Sequence, residues 1–287
     1  MKYLILNIIV IIVLLIYLFS SSYEYYDNYH IKINDNYDEL DVKLHDEVFN
    51  FKDLYKADAE AIYNFMKIRL TKDELDKKEF KILDAGTGLG KHYQILSKYF
   101  RVIGVDKSSN MLDAARVRNP VGEFKRGNLV DTELFHNGDL KGVVCLVETL
   151  HMNDENDQKK ILENFHKWLK PNGFLFIHIF DPSNLDPGPR EFSQYYQEGD
   201  VRHALTYFND FTHDSWWNKN DDNGSYKYNQ KYIIDNGKSK LKITKMHIPP
   251  MKDTIQNIID SGFKLVAVKD LEKSHIEAFK LYVFENS

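Results

Sequence analysis

The chain of 287 residues carries 38 basic and 43 acidic side chains, a formal net charge of −5, with 43% hydrophobic and 14% aromatic residues. That length suits one enzyme-sized domain with appendages, and that composition excludes a chain disordered throughout. The negative balance argues against a large phosphate-neutralising surface, so no nucleic acid partner is expected, and the single cysteine, Cys145, excludes an intramolecular disulfide framework.

Mean hydropathy is −0.48, which excludes a polytopic membrane protein. The average hides one uncharged apolar run at residues 3–19. At about 1.5 Å rise per residue, a helix of that length sits at the short limit for a hydrocarbon core of about 30 Å. The competing reading is a cleaved secretory signal, with Lys2 as a minimal basic start and Ser20, Ser21 and Ser22 as small residues for cleavage. The run exceeds the usual apolar core of a signal, about 7 to 15 residues, which favours a transmembrane anchor over residues 1–22 and a single-pass membrane protein. Flanking charges lean toward a cytosolic N-terminus, and the side on which the body lies stays open. Residues 23–50 are polar, tyrosine-rich and aperiodic, and read as a linker.

Residues 51–287 form the expected domain. Apolar residues at Leu54, Ala57, Ala61, Ile62, Phe65 and Ile68 have helical spacing and predict a cap helix over 53–70. Short apolar strands then alternate with amphipathic helices: strands at 81–84, 102–106, 123–126, 142–147 and 173–180, helices at 91–100, 108–118 and 155–169. This alternation predicts an α/β fold with a parallel sheet and crossover helices. A helix over 251–261, stopped by Gly262, precedes two terminal strands at 263–269 and 279–285.

The irregular insertion 182–250 contains a hairpin, strands 226–234 and 240–248, with Asn236-Gly237 supplying the positive-φ turn residues. Lys227, Lys231, Lys240, Lys242 and Lys245 make it locally basic and read as a solvated strand face. Trp216 and Trp217 read as packing residues of the insertion. The spacing of His178, Asp181 and His213 matches no familiar metal motif, and no metal is expected.

The chemistry concentrates where the first strand of the sheet runs into Asp84, Ala85, Gly86, Thr87, Gly88, Leu89 and Gly90. Glycines permit a tight turn and close approach of backbone to a ligand, and the helix start that follows faces an anionic group. The second strand ends in Asp106, placed to grip ribose hydroxyls. Lys91 stands where a dinucleotide fingerprint would need glycine, and Gly90-Lys91 is followed by His92, against a nucleoside-triphosphate loop.

These motifs resemble those of the class I, Rossmann-like S-adenosylmethionine-dependent methyltransferases, over roughly residues 54–285. The resemblance implies a seven-stranded mixed sheet with helices on both faces, the last strand antiparallel, and S-adenosyl-L-methionine as cofactor. It assigns Asp84, Gly86, Thr87, Gly88 and Gly90 to the methionine part of the cofactor and Asp106 and Lys107 to the ribose. Met111, Asn128 and Leu129 fall to the adenine, and Leu146 to the end of the fourth strand. Asn128 stands where many relatives have Asp, which keeps an acceptor oxygen and loses the charge.

A narrower resemblance, to small-molecule N-methyltransferases acting on amino sugars, rests on the Phe51-to-Tyr55 stretch and on Thr149-Leu150-His151-Met152. It implies that Tyr55 closes the site over cofactor and acceptor and that His151 lies beside the acceptor. An amine must be neutral to attack, and an imidazole with an ordinary pKa of about 6.5 suits proton removal. The expected activity is methyl transfer to a small molecule such as an amine, with His151 and Tyr55 as the catalytic pair. A protein or lipid-linked acceptor, favoured by membrane tethering, and an inactive cofactor-binding interaction module are the alternatives.

Overall fold

The computed structural model describes residues 37–220, 223–234, 238–270 and 280–287, together with the backbone of 29–33. The expected anchor, residues 1–22, lies outside the described residues. Among those described, no helix is long and apolar enough to cross a membrane.

The elements run β1 (Tyr29–Ile33), α1 (Glu39–Val48), α2 (Lys52–Lys67), α3 (Lys72–Lys77), β2 (Lys81–Ala85), α4 (Lys91–Leu96), β3 (Arg101–Asp106), α5 (Ser109–Arg118), β4 (Glu123–Arg126), β5 (Leu140–Cys145), α6 (Glu155–Trp168) and β6 (Leu169–His178). They continue as β7 (Gln194–Glu198), β8 (Val201–Tyr207), β9 (Phe211–Lys219), β10 (Ser225–Ile234), β11 (Ser239–His247), α7 (Met251–Asp260), β12 (Phe263–Asp270) and β13 (Lys280–Asn286).

Seven strands form one sheet in the order β12-β13-β6-β5-β2-β3-β4. Strands β2 to β6 are mutually parallel, and β13 inserts antiparallel between β6 and β12, the mixed α/β sheet expected. Successive strand residues face opposite sides, so each strand feeds two cores. Ile82, Val102, Val144, Phe176 and Val283 join the core under α2 and α4. Leu83, Ile103, Val143, Leu175 and Phe284 join the core under α6. Helix α6 shows why it forms: Asp154 caps its N-terminus by accepting from the Asp157 amide, and Ile161, Leu162, Phe165 and Trp168 make one buried stripe.

The remaining strands form a second sheet, β1-β11-β10-β9-β8-β7, antiparallel except where β1 pairs with β11. The insertion 182–250 is therefore a sheet of its own around the expected hairpin, whose turn residues 235–237 lie outside the described residues. Two stacked ring pairs hold part of it: Trp217 lies on Tyr228 and Trp216 on His203, with ring centroids 4.5 and 4.7 Å apart.

Two expectations are corrected. The linker 23–50 contains β1 and α1, the latter opened by a capping box in which Asp38 and Asp41 exchange side-chain and backbone bonds. The hairpin lysines do not make a uniformly solvated face. Lys240 and Lys242 are buried, Lys240 pairing with Asp38 at 2.9 Å and Asp41 at 2.6 Å, and Lys242 sitting 3.2 Å above the Tyr37 ring. The pleat sends these two inward and leaves Lys245 exposed.

Candidate active site

A cleft opens at the C-terminal ends of β2, β3 and β5, the edge where open α/β sheets bind ligands. Its floor is the glycine turn after β2. Gly86, Gly88 and Gly90 all have positive φ, at 67°, 50° and 68°, conformations that cost other residues about 1 to 2 kcal/mol. A Cβ on Gly86 would lie 2.5 Å from the Thr149 side chain, whereas one on Gly88 would meet nothing closer than the Gly86 carbonyl at 4.0 Å. Gly86 is thus needed for packing, and Gly88 keeps the cleft open above the turn.

The turn is tied to both strands. The Thr87 hydroxyl donates to Asp84 Oδ2 at 2.6 Å, and the Thr87 amide donates to the Val105 carbonyl at 2.9 Å. Asp106 accepts from the Gly88 amide at 2.9 Å with one oxygen and from the Ser108 amide at 2.8 Å with the other. Burial nevertheless pushes the carboxyls of both Asp84 and Asp106 above the usual carboxylate range.

Tyr55, Asp84, Gly86, Thr87, Gly88, Asp106, Lys107, Met111, Asn128, Leu129 and Leu146 all lie on the cleft wall. Gly90 does not. It is the N-cap of α4, and a Cβ there would meet Asn119 Nδ2 at 2.8 Å and Ala115 Cβ at 3.2 Å, so its work is to let α4 approach α5.

His151 lies apart from these residues. Its ring is fully buried and off the cleft wall. Nδ1 bonds the His247 carbonyl at 3.1 Å, and Nε2 accepts from the Phe180 amide at 3.4 Å, so both nitrogens are engaged by backbone. Burial holds its pKa down at about 4. An imidazole with both nitrogens engaged by backbone ties β11 to the end of β6. The Tyr55 hydroxyl donates to the Phe49 carbonyl, while its ring packs edge-on to His92.

The group that sequence reasoning passed over is Glu148. It follows β5 on the cleft wall, and burial raises its carboxyl to about 7, opposed by Lys242. The chain reaches it through Val147, a β-branched residue at φ 54°, a conformation costing roughly 1 to 3 kcal/mol.

Over the cleft lies α1, contributing His45 and, just beyond its end, Phe49. Its C-terminal carbonyls, left without helical partners, are taken by cations. Lys91 donates to the carbonyls of Asp46 and Phe49, and Arg190 to those of Glu47 and Asn50. The Asp46 carboxylate pairs with Lys91 and Arg118, each at 2.8 Å; burial works to raise its pKa, yet the two cations hold it below the usual range.

These features fit S-adenosylmethionine. Gly88 presents open space, Asp106 has acceptor capacity left for hydroxyls, Met111 and Leu129 offer apolar surface, and buried carboxyls await a cationic ligand. Residues 82–173 match the protein family described as Methyltransferase domain. The chain is 24% identical over 227 residues to a phosphoethanolamine N-methyltransferase of Plasmodium falciparum, covering 73% of this chain and 81% of the relative. It is 33% identical over 139 residues to a glycine/sarcosine N-methyltransferase of Parasynechococcus marenigrum, 46% of each chain. The structure of CalS10 with S-adenosylmethionine bound, an amino pentose methyltransferase of Micromonospora echinaspora, has the same fold, with a TM-score of 0.59 at 15% identity over 81% of this chain and 92% of that one. Residues 82–173 are a methyltransferase domain, and the fold around them is that of a class I S-adenosylmethionine-dependent methyltransferase. The chain is an enzyme of that class, and S-adenosylmethionine is its cofactor.

Proposed function

We propose that this enzyme methylates a small-molecule amine and that Glu148 receives the proton the acceptor must lose. The carrying observation is the Glu148 carboxyl, set on the cleft wall and raised to about 7. The bound cofactor supplies a methyl group on a sulfonium, and its transfer to nitrogen is an in-line displacement that depends mainly on alignment. The protein's part is to orient the acceptor, exclude water and remove a proton from an amine that arrives as ammonium at neutral pH.

A carboxylate that titrates near the working pH meets that requirement, and His151, locked between two backbone groups, does not. Support for an amine comes from the relatives, named for phosphoethanolamine, glycine or sarcosine, and an amino pentose. His45 of α1, with Phe49 and Phe51 beyond its end, covers one side of the cleft, which suits a small molecule better than a polymer.

Glu148→Gln, assayed with a methylated amine at saturating cofactor, is expected to lower kcat by about a hundredfold or more, the usual reach of general-base catalysis. Cofactor affinity measured by calorimetry should stay within a few fold. Full turnover in that variant would remove Glu148 from this role.

A further inference from the structure

Val147 is the only non-glycine residue of the cleft wall with a positive φ among the described residues. Valine disfavours that region more than most side chains, so something must hold it. Its amide donates to Nδ1 of His178 at 3.0 Å. Because the amide can only donate, Nδ1 is an acceptor and the imidazole carries its proton on Nε2. That nitrogen faces Asp58 Oδ1 at 2.9 Å, and the other oxygen of Asp58 faces His92 Nε2 at 2.9 Å.

Asp58 and His178 are fully buried, whereas His92 reaches the cleft wall. Burial works to raise the Asp58 carboxyl, yet His178 and His92 hold it at about 2, so it is a carboxylate at neutral pH. A buried carboxylate bridging two imidazoles from different elements fixes both, since every alternative leaves a charge unpaired. The bridge joins α2, the end of β6 and the start of α4 to the peptide immediately before Glu148.

We infer that Asp58 and His178 are positioning residues that hold the Val147 backbone in its left-handed conformation and so aim Glu148 at the acceptor. Asp58 sets the His178 tautomer, the tautomer sets the acceptor nitrogen, and that nitrogen takes the amide of a residue that would otherwise relax toward negative φ. The chain of contacts explains how a valine can occupy this point without a glycine's freedom. The catalytic part of this inference rests on the proposed role of Glu148; the backbone part does not.

The test is a cycle of variants at two positions. His178→Leu removes the acceptor, His178→Gln keeps an acceptor oxygen and a donor amide in one side chain, and Val147→Gly removes the conformational demand. For His178→Leu, kcat is expected to fall at least tenfold, with cofactor affinity within threefold. His178→Gln should recover most of it. Adding Val147→Gly to His178→Leu should raise melting temperature more than Val147→Gly does in the native background, and should recover part of kcat.

Equal effects of Val147→Gly on stability in both backgrounds would overturn the backbone claim, whatever the activity. Coupling in stability with no effect of His178→Leu on kcat would confine the network to folding and overturn the positioning claim. Glu148→Gln separates the two readings: if it is fully active while the stability coupling persists, the proposed base fails and the held backbone stands. If His178→Leu does not fold, His178→Met with and without Val147→Gly carries the same comparison, since the flexible thioether fills the space and accepts only weakly.

Discussion

Asp106 Oδ2 accepts the Gly88 amide at 2.9 Å, so the carboxylate that ends β3 also fixes the turn that follows β2. One side chain thereby fixes the loop on the cleft floor and stands where the proposed site would take the cofactor ribose. Asp106→Ala loses both. A charge-assisted hydrogen bond is worth about 1.5 to 3 kcal/mol, so the cofactor Kd is expected to rise at least tenfold in calorimetry. Unaltered affinity would place the cofactor elsewhere.

Gly86 and Thr149 are matched in a second way. The Cβ of Gly86→Ala would sit 2.5 Å from both Thr149 Oγ1 and Cγ2, on top of a left-handed penalty of about 1 to 2 kcal/mol. The variant should lose stability by roughly 2 kcal/mol or more in denaturant unfolding and should also lose turnover, because Thr149 adjoins Glu148. Thr149→Ala in the same chain removes the colliding atoms and should return part of both losses. No recovery would mean that backbone strain alone accounts for the defect.

The raised carboxyl of Glu148 gives two signed pH effects. With its pKa at about 7 in the free enzyme, kcat/KM should climb as pH rises through 7, and Glu148→Gln should abolish that limb, leaving the acceptor's own titration. A carboxyl raised by folding supports stability at low pH and withdraws that support as pH rises past the unfolded value toward 7. Glu148→Gln should therefore melt higher than the native protein at pH 8 and close to it at pH 4. The reverse order would show that the carboxylate is paired and its pKa is not raised.

The cation latch on α1 predicts a different phenotype. Asp46→Ala frees Lys91 and Arg118 from a pair that is only partly buried, so the loss of global stability should be small, about 1 kcal/mol or less. Loss of closure should appear as faster hydrogen exchange of α1 and a several-fold rise in KM for cofactor, with kcat less affected. Unchanged exchange in α1 would show that the Lys91 and Arg190 bonds to backbone carbonyls suffice.

The sequence makes the α/β half legible because its strands are apolar on both faces and its helices carry one apolar stripe; Ile82-Leu83 and Val143-Val144 each feed two cores. Asp106 and the glycine turn are equally readable, since their chemistry is local. The second sheet is legible only in its β10–β11 hairpin. Its buried positions include Thr206, His213, Ser215, Gln230, Lys240, Lys242 and Thr244, so the alternation that marks a half-buried strand is polar against polar. Helix α1 hides for the same reason: its buried stripe is Asp41, Leu44 and Val48, with Asp41 paired to Lys240 from the far end of the chain. The setting of His151 is not legible either, because its partners, His247 and Phe180, come from elsewhere in the fold. Glu148 is distinguished by desolvation, which no spacing reveals.

The central claim, methyl transfer to a small amine, is tested most directly by mass spectrometry of acceptors after incubation with heavy-methyl S-adenosylmethionine. The acceptors offered to the purified enzyme would be phosphoethanolamine, glycine, sarcosine and nucleotide-linked amino sugars, with protein and lipid fractions of a cell extract run in parallel. The account predicts a heavy methyl on the nitrogen of a small amine, abolished in Glu148→Gln. Label confined to protein or lipid, or no transfer to any acceptor by an enzyme that binds the cofactor, would contradict it.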